Sequence, residues 1–169
     1  MDKTTTSSFI PRGEVHTGNS TSGSASTAIQ RPSFEEIYMR LALSLSERST
    51  CHRLKVGTLI TTVDFRKVLA VGYNGNASGL TNGCDRKDEP GNCGCLHSEE
   101  NAVINCDSPR HIEKIAFVTH MPCALCAKRL FNLGQVKKVY YHSEYRTSDA
   151  CQLLNHVGIE LISLKIQES

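Results

Sequence analysis

Residues able to bind zinc and to move protons occur at two places in the chain. His97 is followed by Glu99 two residues later, and Pro122 precedes Cys123 and Cys126. Two residues between cysteines allow both sulfurs to reach one zinc ion at about 2.3 Å, and a histidine from elsewhere can supply a third ligand. Three protein ligands leave the fourth tetrahedral position to water, whose pKa the ion lowers to near neutrality. The spacing therefore predicts a catalytic zinc site.

Glu99 is the candidate proton carrier of this site. A general acid and base must lie close to the reacting atoms without being a ligand of the metal, and a position two residues beyond His97 meets that requirement. The alternative is a structural zinc knuckle built on Cys123 and Cys126, with His97 as an ordinary buried histidine. We favour the catalytic site, because a structural zinc site has no need of a carboxylate beside an open coordination position.

Alternating helices and strands are expected to position these residues. Ser33 and Glu36 form a capping box that begins the first helix, and apolar residues recur behind it at helical spacing. The alternation predicts a layered α/β fold, with the zinc ligands at the starts of the second and third helices. The predicted helices span residues 33–48, 97–106, 123–133 and 148–156, and the predicted strands span residues 56–61, 67–71, 115–119, 136–141 and 159–164.

The length and charge of the chain limit its function. A chain of 169 residues is the size of one ordinary domain. The 19 Lys and Arg residues against 17 Asp and Glu residues leave a net charge of +2, which disfavours dedicated binding of nucleic acid. The apolar runs are far shorter than the roughly 20 residues that a membrane-spanning helix needs.

We interpret residues 1–32 as a disordered tail and residues 33–169 as the folded domain. The tail is rich in serine and threonine and poor in large apolar side chains, so burial cannot offset the entropy of ordering it. No secretory signal pattern opens the chain, and we expect reduced cysteines in a cytoplasmic protein. Targeting to an organelle by the tail is left open, although Asp2 and Glu14 interrupt the acid-poor pattern of a transit peptide.

Several motifs together resemble the cytidine deaminase superfamily and, within it, the deoxycytidylate (dCMP) deaminases. The pair His-x-Glu and Pro-Cys-x-x-Cys is the signature of zinc-dependent deaminases. Deaminases of the free nucleoside usually carry cysteine where this chain has His97. The resemblance covers residues 34–164, and its more specific segments are residues 48–53 followed by Val56-Gly57, residues 72–75, residues 101–102, residues 118–123 and Tyr145-Arg146.

The resemblance implies a zinc-dependent hydrolase that converts dCMP to dUMP and releases ammonia, in pyrimidine deoxynucleotide biosynthesis for dTTP supply. It implies a three-layer α/β/α fold with a central mixed five-stranded sheet. It also implies that Zn²⁺ on His97, Cys123 and Cys126 is the catalytic cofactor and that no organic cofactor is needed. Glu99 would then transfer protons from water to cytosine N3 and to the leaving amine.

The resemblance also implies which residues contact the nucleotide. It assigns Asn74 to the deoxyribose, and Arg53 and Tyr145 to the neighbourhood of the 5′-phosphate. Ser98, where alanine is usual, is expected to face the base and either narrow the pocket or add a hydrogen bond. Simpler alternatives are a turn role for Asn74, a solvated charge for Arg53 and a packing role for Tyr145. His120 is either a substrate group or an ordinary hydrogen-bonded histidine.

Four further cysteines form a candidate second zinc site. Cys84, Cys93 and Cys95 lie in a long loop, residues 76–96, and Cys51 lies in a segment that would have to pack beside it. Some dCMP deaminases carry a structural zinc at positions equivalent to Cys51 and Cys84, and a closed four-cysteine site needs no open coordination position. The alternative is unpaired loop cysteines, because one residue between Cys93 and Cys95 is a tighter spacing than usual.

Expectations about assembly and regulation rest on the resemblance alone. Many dCMP deaminases are hexamers that dCTP activates and dTTP inhibits, so we expect a homohexamer and regard these nucleotides as candidate effectors. An arginine that serves the effector response in some members has no counterpart at Ser108, although Arg110 is close. Allosteric regulation is therefore left open.

Three alternative functions compete with dCMP deamination. The same chemistry on deoxycytidine, dCTP or a 5-modified dCMP would need the same motifs. A tRNA or other RNA base deaminase uses the same zinc ligands, but the small net charge disfavours a polynucleotide substrate. A non-enzymatic zinc-binding scaffold would have no use for Glu99.

Overall fold

The computed structural model describes residues 31–90, 92–145 and 149–166. The predicted tail lies outside the described residues except for Arg31 and Pro32, and Arg146 also lies outside them. None of the described helices is long and apolar enough to cross a membrane.

Five strands form one mixed sheet in the order β2-β1-β3-β4-β5. β1 pairs antiparallel with both β2 and β3, whereas β3 with β4 and β4 with β5 are parallel. The prediction of an α/β fold with a mixed five-stranded sheet is confirmed. The strands are β1 (Gly57–Thr62), β2 (Val68–Tyr73), β3 (Lys114–His120), β4 (Val136–Ser143) and β5 (Glu160–Ser163).

Helices cover both faces of the sheet and complete three layers. Alternate residues of a strand point to opposite faces. On β1, Leu59 packs in a cluster with Met39 of the first helix, whereas Ile60 packs in a second cluster with Ala102, Leu130 and residues of the last helix. The first helix therefore covers one face and the other three cover the opposite face. The helices are α1 (Phe34–Ser46), α2 (Ser98–Ile104), α3 (Ala124–Leu133) and α4 (Asp149–His156).

The predicted elements are all present, with shifted ends. The capping box of α1 is confirmed, since Ser33 Oγ accepts from the Glu36 amide and the Glu36 carboxylate accepts from the Ser33 amide. β3 begins one residue earlier than predicted, at Lys114. The buried ammonium of Lys114 donates to the carbonyl oxygens of Pro109 and Ile112. These hydrogen bonds offset the cost of burying a charged group and allow a lysine to occupy a buried position.

Two glycines bring helices into close contact with the sheet. A Cβ atom on Gly57 would lie 2.0 Å from the Ala42 carbonyl oxygen of α1, and one on Gly72 would lie 2.2 Å from the Ser98 carbonyl oxygen of α2. Only glycine permits such an approach of helix backbone to strand. Asn101 reinforces the second contact by donating from Nδ2 to the Tyr73 carbonyl at 2.8 Å. The start of α2 is therefore held firmly against β2.

Candidate active site

The three predicted zinc ligands converge where two helices begin. His97 is the N-cap of α2 and Cys123 is the N-cap of α3. His97 Nδ1 lies 3.6 Å from Cys123 Sγ and 3.3 Å from Cys126 Sγ, and the three ligand atoms lie within 4.8 Å of one another. Donors on a tetrahedral zinc ion at 2.0–2.3 Å are roughly 3.5–3.8 Å apart. The nitrogen and both sulfurs therefore fit zinc.

The electrostatics of the two cysteines suit a cation. Hydrogen bonds from the Cys126 thiol and from His97 lower the pKa of Cys123 to about 3, although burial opposes the shift. The hydrogen bond with Cys123, followed by burial, raises the pKa of Cys126. The Cys123 sulfur also accepts from the Cys126 amide in the first turn of α3, where the helix dipole favours negative charge. The pair therefore presents a thiolate at neutral pH.

Glu99 lies in the first turn of α2 and is only 4% exposed. Burial raises its pKa, while hydrogen bonding from Ser98 and the charge of His97 partly offset that rise. Among the described residues, Glu99 is not one of the three converging ligands. A buried carboxyl group next to a zinc site, with a raised pKa, has the properties of a general acid and base.

A cavity of about 580 Å³ opens beside these residues. This volume lies in the range of small-molecule sites and can hold a nucleotide. Its wall includes His97, Glu99 and Cys123 together with all four residues predicted to contact the substrate, which are Arg53, Asn74, Ser98 and Tyr145. Segments distant in sequence are thus brought to one cavity.

Asn74 is 7% exposed and anchors neighbouring backbone. Its Oδ1 accepts from the Val56 amide at 2.8 Å and its Nδ2 donates to the Leu54 carbonyl at 2.7 Å. These bonds tie the segment before β1 to the end of β2. An asparagine amide has two donor hydrogens and two acceptor lone pairs, so capacity for a ligand is left.

Arg53 lines the cavity while it holds the loop of residues 76–96. Its Nε donates to the Lys87 carbonyl at 2.9 Å, and its Nη2 donates to the carbonyls of Arg86, at 2.7 Å, and Glu89. The guanidinium group therefore fixes one wall of the cavity. Tyr145 is half-buried and lines the same cavity.

Ser98 is fully buried and bonds to two side chains. Its hydroxyl donates to Glu99 Oε2 at 2.9 Å and lies 2.8 Å from Thr58 Oγ1 on β1. Sequence reasoning missed Thr58, because a threonine in a strand looks like ordinary β-propensity. It also missed Glu144, which lines the cavity just after β4 and accepts from the Tyr141 hydroxyl at 3.0 Å. Its position after a strand end was the available signal.

His120 is half-buried in the same wall, and its Nδ1 lies 3.3 Å from Thr119 Oγ1. Burial, followed by the charge of His142, lowers the pKa of His120. The ring is therefore neutral near pH 7, which allows it to donate and accept hydrogen bonds.

The four cysteines of the candidate second site also converge. Cys51 Sγ lies 3.4 Å from Cys84 Sγ and 3.8 Å from Cys93 Sγ, and Cys95 Sγ lies 3.6 Å from Cys84 Sγ. Four sulfurs around zinc at about 2.3 Å would be separated by roughly 3.8 Å. Although burial acts to raise it, hydrogen bonds from the His52 amide and from the neighbouring thiols lower the pKa of Cys84 to about 7. The cluster fits a closed tetrahedral metal site.

This cluster and the cavity share a wall. Cys51, Cys93 and Cys95 line the cavity, and the long loop that carries two of them is also held by Arg53. The predicted second cluster is thus brought together beside the first and shapes the space in front of it.

A family model described as the cytidine and deoxycytidylate deaminase zinc-binding region matches residues 32–143. The chain is 34% identical to a deoxycytidylate deaminase of Schizosaccharomyces pombe, in a match that covers 78% of this chain and 44% of the relative. This chain thus spans less than half the length of that relative. It is 33% identical to ComE operon protein 2 of Bacillus subtilis, covering 83% of this chain and 76% of the relative.

A solved structure shares the fold as well as the sequence. It is the dCMP deaminase from the cyanophage S-TIM5 in complex with dCMP and dUMP, which is 36% identical to this chain. The TM-score is 0.71, and the match covers 80% of this chain and 99% of the phage chain. The described sheet and helices therefore match those of a protein solved with substrate and product.

Proposed function

Because the chain belongs to the cytidine and deoxycytidylate deaminase family, we propose that it catalyses the hydrolytic deamination of dCMP to dUMP with release of ammonia. The observation that carries this proposal is the buried Glu99 carboxyl group beside His97, Cys123 and Cys126 in a nucleotide-sized cavity. The similarity to a phage enzyme solved with dCMP and dUMP supports the choice of substrate.

His97, Cys123 and Cys126 hold the zinc ion in this proposal. When bound, zinc supplies Lewis acidity that makes water a stronger acid and nucleophile at neutral pH. Glu99 accepts a proton from that water and passes it to cytosine N3, which makes C4 more electrophilic. The hydroxide that remains forms a bond to C4. Glu99 then takes the hydrogen of that new hydroxyl group and delivers it to the amino group on C4, and the bond between C4 and the amine nitrogen breaks. The amine leaves as neutral ammonia, and C4 becomes a carbonyl carbon of uracil.

The proposed substrate contacts come from the cavity wall. Asn74, Arg53 and Tyr145 all line the cavity. In this proposal Asn74 uses the remaining capacity of its amide on the deoxyribose, and Arg53 and Tyr145 contact the 5′-phosphate. Arg53 suits this role because a guanidinium group offers several donors in a planar fork. Ser98 has no free proton for the base, since its hydroxyl donates to Glu99.

Cys51, Cys84, Cys93 and Cys95 hold a structural zinc ion in the same proposal. A closed site of this kind would stabilise the long loop and, through it, the wall of the cavity. Reduced cysteines are required for both metal sites, which suits an intracellular compartment.

We further propose a homohexamer, with dCTP and dTTP as candidate effectors. Apolar side chains exposed on α1 offer surface for subunit contacts, among them Phe34, Ile37 and Leu41. Light scattering measures the mass of the assembly, and titration with each nucleotide measures the response of kcat and KM. A monomer would contradict the proposed hexamer. An active hexamer whose kcat and KM do not respond to dCTP or dTTP would contradict the proposed effectors.

The reaction is tested by ammonia release from zinc-loaded protein offered dCMP, deoxycytidine, CMP and dCTP in parallel. We expect turnover of dCMP in preference to the other three, and loss of turnover in Glu99→Gln, which keeps the size of the side chain and removes its acid. Zinc content is measured in both proteins to exclude metal loss as the cause. Equal turnover by Glu99→Gln, or preference for another substrate, would contradict the proposal.

A further inference from the structure

Two hydroxyl groups connect the interior of the sheet to Glu99. Ser98 Oγ lies 2.9 Å from Glu99 Oε2, and Thr58 Oγ1 lies 2.8 Å from Ser98 Oγ. Thr58 and Ser98 are fully buried, and Glu99 is nearly so. Hydrogen bonds in such a water-poor environment are stronger than at the surface, and successive bonds strengthen one another.

The direction of these hydrogen bonds follows from proton counting. A hydroxyl group has one hydrogen to donate, and an ionised carboxylate can only accept. Ser98 gives its hydrogen to Glu99, so Thr58 must donate to Ser98. The series of hydrogen bonds therefore runs from Thr58 through Ser98 to Glu99. The orientation of each group depends on the hydrogen bond from the group before it.

Thr58, the first residue of this series of hydrogen bonds, lies in a rigid part of the fold. Thr58 lies in β1 and is paired with Gly72 of β2 on one side and Val118 of β3 on the other. Strands flanked on both sides have little freedom to move, and α2 is held against β2 at Gly72. Thr58 is thus a fixed donor for Ser98.

We propose that Thr58 and Ser98 form a hydroxyl relay that positions the Glu99 carboxylate for proton transfer. The proposal rests on the deaminase function and changes the expectation for Ser98, which becomes a positioning residue for the acid rather than a contact of the base. Loss of the relay should slow the chemical step more than it weakens substrate binding.

The first test is steady-state kinetics of zinc-loaded variants with dCMP. We expect Ser98→Ala to lower kcat about tenfold, because it removes a hydrogen bond to the charged Glu99 carboxylate. Thr58→Val should lower kcat about threefold. In both variants KM should change less than about twofold. The double variant should be no slower than Ser98→Ala alone, because Thr58 acts through Ser98. Thr58→Ser restores the hydroxyl group and should restore kcat.

Thr61→Val is the matched control. Thr61 is on the same strand and equally buried, but its hydroxyl group has no partner among the described residues. This variant should keep the kcat of the unmodified protein. Wild-type kcat in Thr58→Val, or multiplied losses in the double variant, would overturn the relay.

Urea unfolding separates failure of the relay from failure of the proposed function. If the unmodified protein does not deaminate dCMP, the urea midpoints of the same zinc-loaded variants still test whether Thr58 and Ser98 form the relay. Thr58→Val and Ser98→Ala should each lower the midpoint, and their combined shift should be smaller than the sum of the two. Additive shifts, or a shift in Thr58→Val no larger than in Thr61→Val, would overturn the relay.

Discussion

The Nδ1 atom of His97 lies 3.3 Å from the sulfur of Cys126, although the two residues are 29 positions apart in the chain. The contact joins the start of α2 to the first turn of α3. A zinc ion shared by these helices would therefore bind tightly only when both helix starts are in place.

Cys126→Ser is expected to remove the proposed catalytic zinc and to abolish deamination. Serine is a poor zinc ligand and cannot replace the fully buried sulfur of Cys126. Zinc is measured by elemental analysis of the purified protein. The control is Cys151→Ser, a half-buried cysteine of α4 that belongs to neither cysteine cluster. Full zinc content in Cys126→Ser would show that the assigned ligand set is wrong.

Cys84→Ser is expected to remove the proposed second zinc ion and to keep the proposed catalytic one. Its sulfur contacts those of Cys51 and Cys95, and hydrogen bonding holds its pKa at about 7, so it is readily deprotonated to bind metal. The unmodified protein should contain two zinc ions per chain and the variant one, with a lower unfolding temperature. One zinc per chain in fully occupied unmodified protein would count against the second site.

Asn74→Ala is expected to destabilise the fold as well as to weaken substrate binding. The change removes two hydrogen bonds to half-buried residues, at the backbone of Val56 and Leu54, and should lower the free energy of unfolding by about 1–3 kcal/mol. KM for dCMP should rise in the same variant if the amide also contacts the sugar. Asn105→Ala loses one long, exposed bond to Val71 and is the control. An unchanged urea midpoint in Asn74→Ala would contradict the anchoring role.

Lys114→Met is expected to lower the free energy of unfolding by about 2–4 kcal/mol, because the carbonyl oxygens of Pro109 and Ile112 would lose a charged donor. The control is Lys137→Met, an exposed lysine whose surface contacts with Gln135 and Glu113 contribute little. Urea unfolding measures both. A loss no larger than that of the control would refute the role of the buried ammonium.

The same lysine predicts a pH dependence. Burial lowers the pKa of Lys114 below its ordinary value of 10.5. Between the lowered pKa and 10.5 the unfolded chain binds more protons than the folded protein, so this lysine's contribution to stability rises with pH in that window. The difference in unfolding free energy between the unmodified protein and Lys114→Met should therefore grow as pH is raised toward 10.5. A difference that shrinks would contradict the direction of the pKa shift.

Local features of this protein were predictable because they depend on neighbouring residues. The capping box of Ser33 and Glu36 requires only a spacing of three, and the Cys123 and Cys126 pair occupies one helical turn. Their bonds form within a few residues whatever the rest of the chain does. The ends of elements were less predictable, as Lys114 at the start of β3 illustrates, because contacts with residues outside a strand stabilise its terminal residues.

Assembly of the site required contacts that no spacing in the sequence reveals. The direction of β4 and β5 was not predicted from the sequence. Both strands run parallel to the strand before them, because α3 and α4 form the crossover connections.

The sequence by itself determined the candidate zinc ligands, the acid beside them and the layered α/β class. Only the tertiary structure decided which partners the polar side chains find: backbone for Asn74, loop carbonyls for Arg53, and Thr58 for Ser98 across 40 positions of the chain. The physical reason is that the residue type alone fixes which donors and acceptors a side chain has, whereas the packing of helices on the sheet determines which partner it meets.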